Sequence, residues 1–309
     1  MERTIGAYRL LTPLKTAGSG SARWAIALRG GERFFLKEFL SPVFPIAGGK
    51  PELRQKQMER CRRFEGRKQR LYTAMSLVIG DTLVPVLDFF RFDGRYYSVS
   101  EEVSQELSDS MAVELSPREK RQMLLNLALC LQRLHMQDIV HADLKPDHVL
   151  IRKGYAGCEA RLIDLDSGFL LSEPPSPKEM EGDPVYLAPE AFLRMAGQET
   201  QLTAAMDTFA FGAMIHWFWA GDLPRIDGKY SYLYEAALDG APIYLSRAVP
   251  QVYRETVQRM LSADPAQRPS DSELVHLLSV AQQDDEPEQP QPRRDRPLNG
   301  LSRFMKKDR

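Results

Sequence analysis

The stretch HADLKPDHVLI, residues 141 to 151, constrains the fold of this chain more than any other. His141, Asp143, Lys145, Asp147 and His148 crowd its first part, and Val149, Leu150 and Ile151 follow as an apolar run. Charged side chains at that density need water or partners, whereas a short apolar run such as Val-Leu-Ile belongs in a buried strand. The segment therefore reads as a polar loop that ends in a core strand. A second apolar run, LIDLDSG at 162 to 168, ends on Asp164. Two strand ends thus carry acidic side chains to one place, an arrangement suited to a divalent cation and the phosphates it bridges.

The rest of the chain has to supply a core large enough to hold such a loop. With 309 residues, 43% hydrophobic and 27% charged, it can bury one large core or two modest ones as a soluble globular protein. Lys plus Arg total 41 against 42 for Asp plus Glu, so there is no electrostatic case for nucleic acid or an anionic membrane as main partner. Cys61, Cys130 and Cys158 are widely spaced without a CxxC, which argues against a disulfide framework or a zinc site. The N-terminus MERTIGAYRL lacks the apolar core of a signal peptide. The longest apolar run, Phe209 to Ala220, falls well short of the ~20 residues that span a bilayer. The expectation is a cytoplasmic protein.

Residues 8 to 39 hold three strand-like runs, YRLLTPLKT, ARWAIALR and ERFFLKEF, joined by AGSGS and by a Gly30-Gly31 turn. Gly18 and Gly20 have no Cβ, so backbone N–H groups there can approach phosphate oxygens; a plain hairpin turn is the alternative. Lys37 lies in the third run on the same face as Phe35. A Pro- and Gly-rich loop leads to a polar helix from Glu52 to about Val78, with Leu53, Met58, Phe64, Leu71 and Met75 as its inward stripe. The runs LVPVLDFFRF and RYYSVSEEV form a hairpin, because Asp93-Gly94 suits a type I′ turn. Farther on, SPRE at 116 to 119 starts a helix with Ser116 as N-cap, Pro117 at its first position and Glu119 closing a capping box. Leu124, Leu127, Leu131 and Leu134 then repeat at helical spacing and deliver the chain into His141. SDSE at 270 to 273 opens a last helix that ends near Gln282. Residues 283 to 309 are Pro-rich and charged, which predicts disorder. Leu298, Leu301, Phe304 and Met305 offer the alternative of a tail that docks on a partner or on the folded domain.

The two segments at 141 and 162 resemble the catalytic loop HRDLKPxN and the DFG motif of protein kinases. Ala142 stands for the arginine, His148 for the asparagine, and Leu165 and Asp166 for Phe and Gly. GSGSAR resembles the glycine-rich loop, with Arg23 at the third glycine, and GDPVYLAPE at 182 to 190 resembles GTPxYxAPE, with Asp183 for the threonine. Lys37, Asp207 in DTFAFG and Arg268 in ADPAQRP complete the set in the family's order.

This resemblance implies an α+β, bilobal fold of the bacterial Ser/Thr kinase type: an antiparallel sheet lobe over 1–103, a mainly helical lobe over 104–282, and the tail. It implies ATP with Mg²⁺ or Mn²⁺ as the bound species, and γ-phosphoryl transfer to a Ser/Thr hydroxyl of a protein substrate, the preference resting on Lys145. Gly18, Gly20 and Lys37 would contact phosphates, with Lys37 paired to a helix glutamate, Glu65 or, alternatively, Glu59. Ser100 would be the gatekeeper, and backbone groups of Glu101 to Val103 would read the adenine edge. Asp143 would be the base and Asp164 a metal ligand. His148 would occupy the asparagine's metal position, and Asp166 would offer an oxygen in compensation. Asp207 would brace the catalytic loop, and Arg268 would pair with Glu190. Phe35 and Ala25, for the family's Ala and Val, suggest that large and small have exchanged across the adenine roof. Ala142 implies that no arginine is there to hold a phosphorylated activation segment. Two further readings stay open: a pseudokinase scaffold, marked by Phe35, Arg23 and His148, and a small-molecule phosphotransferase, which would not need the Glu190–Arg268 pair.

Overall fold

A computed structural model describes residues 3–16, 22–45, 50–103, 115–154 and 157–283. The glycines at 18 and 20 and the tail beyond 283 lie outside them. The first lobe is an antiparallel sheet of β1 (Thr4–Ile5), β2 (Tyr8–Leu10), β3 (Lys15–Thr16), β4 (Ala22–Arg29), β5 (Glu32–Phe39), β6 (Val86–Phe92) and β7 (Arg95–Glu101). Its order is β1-β2-β4-β5-β7-β6, with β3 paired to β4 off this path. The expected run 8–16 is split into β2 and β3 at Pro13, which has no N–H to give to the ladder. At the β6–β7 turn, Asp93 and Gly94 take φ of 48° and 72°, the two positive values a type I′ turn requires.

The register of β4 on β5 decides what faces the second lobe. Trp24 lies opposite Lys37 and Ile26 opposite Phe35, while β7 brings Ser98 and Ser100 alongside them. The other face buries Ile5, Tyr8, Ala27, Leu36, Tyr97 and Val99 as a small core. Across the sheet end, α1 (Pro51–Met75) packs Cys61 and Phe64 against Phe39, Phe89 and Tyr96. Its stripe differs from the expected one at both kinds of position. Leu53 is exposed, and Cys61, Lys68 and Tyr72 are buried with Leu71 and Met75.

The second lobe begins with α2 (Pro117–His135), whose capping box closes as expected: Ser116 Oγ accepts from Glu119 N, and Glu119 accepts from Ser116 N. β8 (Ile139–Val140) leads into the polar loop, and the loop closes with a 3₁₀ turn, Pro146–His148. β9 (Val149–Gly154) pairs with β10 (Gly157–Leu162), and β11 (Phe169–Leu170) returns to β8. The loop and the end of β10 are therefore held side by side by backbone hydrogen bonds. Around them stand α3 (Pro189–Met195), α4 (Ala205–Ala220), α5 (Leu233–Leu238), α6 (Gln251–Met260) and α7 (Asp271–Gln283). α4 is apolar on every side and nearly all of it is buried, as a central helix must be. One continuous core runs from Leu71 of α1 through α2 and α4 to Leu278 of α7, so α1 belongs to both lobes. Among the described residues no helix is long and apolar enough to cross a membrane.

Candidate active site

The loop from His141 is positioned by one buried carboxylate. Asp207 on α4 is 2% exposed and accepts the N–H of His141 at 2.7 Å and of Ala142 at 2.9 Å. His135, at the end of α2, donates to the same carboxylate from Nε2 at 3.0 Å and faces Asp271 with Nδ1 at 2.8 Å. Burial alone would pull His135 down, but Asp207 and Asp271 outweigh it and hold the imidazole at about 9. Burial would likewise raise Asp207, yet its hydrogen bond from His135 keeps it low. Ala142 takes a φ of 65°, and the loop turns there toward solvent. His141 is fully buried and bridges the two motifs, with Nε2 at 3.3 Å from the carbonyl of Ile163 and Nδ1 accepting the N–H of Asp143. Burial lowers its pKa, in keeping with a neutral ring.

Asp143 leaves this scaffold with its carboxylate fixed. Its Oδ1 accepts the N–H of Asp183 at 2.8 Å, and Lys145 Nζ sits 3.4 Å from Asp143 and 3.2 Å from Asp183. Burial pulls Lys145 down, but the two carboxylates outweigh it and hold it above the usual lysine range. The segment reaches Asp143 through Gly182, at φ 157°, where a Cβ would come within 3.2 Å of the Ala142 carbonyl. A larger residue there would force Leu187 or the Ala142 carbonyl to shift.

His148 and Asp164 meet behind Asp143. His148 donates from Nδ1 to the Asp143 carbonyl at 2.7 Å, so that Nε2 is the nitrogen left over for another partner. That Nε2 lies 3.7 Å from Asp164 Oδ2. Asp164 has a φ of 62°, a strained value for a non-glycine residue that turns its carboxylate out of the strand line. Burial would raise Asp164, but the Lys37 ammonium outweighs it and holds it well below the carboxylate range. His148 Nε2 and Asp164 are two donors toward a divalent cation, and among the described residues no third His, Cys, Asp or Glu completes a metal-holding group with them. The nitrogen suits Mn²⁺ better than Mg²⁺, which prefers oxygen.

Lys37 reaches down from β5 to this pair. Its Nζ lies 2.7 Å from Asp164 Oδ2 and 2.6 Å from Asp166 Oδ2. Burial opposes its charge, yet the two aspartates keep Lys37 protonated far above the lysine range. The expected glutamate partner is absent from this cluster. Glu65 points to Arg91 at 3.6 Å, and Glu59 to Arg63 at 3.9 Å on the exposed side of α1. The residue of α1 that faces the cluster is Lys68, one helical turn on from Glu65. Asp166 does not stand open toward the metal position: besides Lys37, its Oδ1 accepts from Tyr72 Oη at 3.2 Å and its carbonyl accepts from Lys68 Nζ at 2.6 Å.

The roof of the cleft also differs from expectation. Ala25 is fully buried on the far face, opposite Leu36, so it has not exchanged places with Phe35. Phe35 instead stacks on Trp24, ring centroids 5.5 Å apart. Arg23 binds Glu38 at 2.6 Å on the same far face as Ala25 and so does not aim at phosphates. At the strand end the side chains of Glu101 and Glu102 are taken by Arg161 and Arg33, the latter at 2.7 Å from Nη2. Ser100 faces Phe35, and Val103 follows just beyond β7.

Far below the loop, Arg268 and Glu190 form a buried bidentate pair at 2.7 and 2.8 Å. The carbonyls of Ala205, Ser262 and Ala263 take the remaining guanidinium hydrogens. With that pair, the braced loop and the lysine over two aspartates in place, the comparison with known proteins is decisive: residues 56–278 match the protein kinase domain model. The chain belongs to the protein kinase domain family. It is 28% identical over 292 residues to the serine/threonine-protein kinase pkn2 of Myxococcus xanthus, covering 89% of this chain and 32% of that protein. It is 26% identical over 196 residues to the serine/threonine-protein kinase H1 of Mus musculus, covering 60% and 45%. Another similar protein is the mouse inactive serine/threonine-protein kinase PLK5, 30% identical over 167 residues, covering 53% and 26%. The chain thus spans less than half the length of these relatives.

As a kinase domain it holds its helix α1 in an unusual way. Arg67 pairs with Glu179 at 2.5 Å and Arg70 with Glu173 at 2.7 Å, so α1 is tied to the segment between Asp164 and Glu190 without help from residue 142. Lys68, Tyr72 and His135 are the site residues that sequence reasoning missed. Lys68 had one visible signal: it sits on the apolar stripe of the helix, four residues from Phe64 and from Tyr72, where an unpartnered lysine would not be tolerated.

Proposed function

We propose that the chain is an ATP-dependent protein kinase that transfers the γ-phosphoryl group to a Ser/Thr hydroxyl of a protein substrate. The observation that carries this reading is Asp143: a carboxylate fixed by the Asp183 N–H and by Lys145, next to Asp164, His148 and Lys37. A fixed carboxylate can accept the proton of an acceptor hydroxyl while that hydroxyl attacks. Lys145 lies within reach of the same hydroxyl and places a positive charge where the transferring group passes. Asp164 and His148 Nε2 are the candidates to hold a divalent cation, which requires Lys37 to give up Asp164; Asp166 is left out because Tyr72 and Lys37 engage both of its oxygens. When bound, Mg²⁺ or Mn²⁺ neutralises phosphate charge. Lys37 is placed to contact nucleotide phosphates, and the backbone at Glu101 to Val103 to hold the adenine edge, with Trp24 and Phe35 as its apolar roof.

A second reading, a nucleotide-binding pseudokinase, is favoured by one observation: Lys37 rests on both loop carboxylates and on no helix glutamate. Phosphoamino-acid analysis separates the two. Incubation with γ-labelled ATP, Mn²⁺ or Mg²⁺ and a mixed protein acceptor should give labelled phosphoserine or phosphothreonine. Nucleotide binding with no labelled protein would support the pseudokinase, and turnover to free labelled small molecules only would overturn both.

A further inference from the structure

In kinases the β5-type lysine is held by a glutamate from the helix. Here that helix presents a lysine to the same place, and the acid has moved to the position after the metal aspartate. We propose that this is a charge swap: Asp166 is the positioning residue for Lys37, and Lys68 holds Asp166 there, so that together they take the part of the helix glutamate. The inference rests on the kinase reading above and names the residues that assemble its phosphate-binding lysine.

The geometry of Lys68 is that of a built site. Its ammonium donates to the Asp166 carbonyl at 2.6 Å and stands 3.7 Å from the Asp166 carboxylate. Around it lie the rings of Phe39 at 5.1 Å, Tyr72 at 5.7 Å and Phe64 at 5.8 Å, an aromatic cage that suits a cation. Its side chain is 9% exposed, so the charge has given up water for these partners. Burial pulls the Lys68 ammonium below the usual lysine range and the Asp166 carboxylate opposes that pull, an acid the glycine of the usual motif would fail to provide.

Asp166 is in turn the only one of the two loop aspartates that Lys37 can keep when a cation takes Asp164. Its Oδ2 is 2.6 Å from Lys37 and its Oδ1 is fixed by the Tyr72 hydroxyl, so the carboxylate has one orientation. Tyr72 and Lys68 are both on α1, which means that displacing α1 would release Asp166 and, through it, Lys37. The chain of contacts α1 to Asp166 to Lys37 gives the same coupling that a direct lysine–glutamate pair gives, with the charges of two positions reversed.

The reversal makes the proposal testable by reversing it again. In the purified chain, K68E places an acid against Asp166, D166G removes the carboxylate, and K68E with D166G restores the ordinary glutamate–glycine arrangement. Three readouts are taken: the dissociation constant of ATP, the unfolding midpoint without nucleotide, and amide exchange of residues 61 to 75 without nucleotide. Each single variant should weaken ATP binding about tenfold or more and speed exchange in α1, and the double variant should recover most of both losses. K68M, D166N and their combination form a second cycle that keeps the packing if K68E does not fold. They too should be strongly non-additive. Losses that simply add in both cycles, or a D166G protein with unchanged ATP affinity and unchanged exchange, would overturn the swap. If the wild type binds no ATP, the kinase reading fails, while exchange and unfolding in the ligand-free variants still decide the pairing.

Discussion

Replacing Asp207 by Asn tests how the catalytic loop is held, because the carboxylate serves three donors at once. It takes the His141 N–H at 2.7 Å, the Ala142 N–H at 2.9 Å and His135 Nε2 at 3.0 Å. An amide has one acceptor oxygen and turns an N–H₂ toward another donor, so one buried backbone N–H is orphaned at a cost of ~1–3 kcal/mol. The second loss is the charge beside His135. That imidazole is held at about 9 against an unfolded value of 6.5, and its side chain is 6% exposed, so the raised value is worth about 3 kcal/mol, shared between Asp207 and Asp271. Half of that plus the orphaned N–H gives a total of roughly 2.5–4.5 kcal/mol, a large share of the ~5–15 kcal/mol that holds a domain folded. The sign of the pH dependence follows from the direction of the shift. A folded pKa above the unfolded one contributes in full below the unfolded value of 6.5 and is lost as pH rises through about 9. Urea unfolding of wild type and D207N at about pH 6 and about pH 9.5 should therefore show the gap between them narrowing by about 1–2 kcal/mol. A gap below about 1 kcal/mol at the lower pH, or one that widens with pH, would refute the reasoning.

Two other perturbations follow from single contacts. Arg268→Ala leaves Glu190 charged and buried, and should cost about 3–5 kcal/mol in denaturant unfolding, whereas R268M with E190Q should cost much less because no bare charge remains. His148→Asn replaces the imidazole nitrogen by an amide oxygen donor, and should move the ratio of ATP affinities in Mg²⁺ and Mn²⁺ toward Mg²⁺ on the order of tenfold, as ligand softness dictates; titration of labelled nucleotide in each metal measures it.

Much of this architecture was legible because it is local. The strand runs at 22–29 and 32–39, the Asp-Gly turn and the capping box at Ser116 each carry their own geometry, and each formed where the residues placed it. The long-range pairs Asp207 with the loop and Arg268 with Glu190 were legible only through the family resemblance, since no local rule links residues so far apart. The helix partner of Lys37 was not legible. Glu65 has the right charge and the right helix, but it lies one turn before Lys68, the residue that reaches the cluster, and a thin apolar stripe leaves open how far along the helix the contact falls. The exchange expected between Ala25 and Phe35 failed for a related reason: strand register sets the face, and Ala25 pairs with Leu36, one residue away from the face of Phe35.

The most direct test of the account is the rate of phosphoryl transfer in Asp143→Ala. A single-turnover measurement with enzyme in excess over γ-labelled ATP, and a protein acceptor present, reads the chemical step, and a parallel titration reads nucleotide affinity. Loss of a positioned base should slow transfer by ~10²- to 10⁴-fold while the affinity for ATP stays within about twofold of wild type. Transfer at the wild-type rate by the Asp143→Ala protein would contradict the assignment of this loop as the catalytic centre.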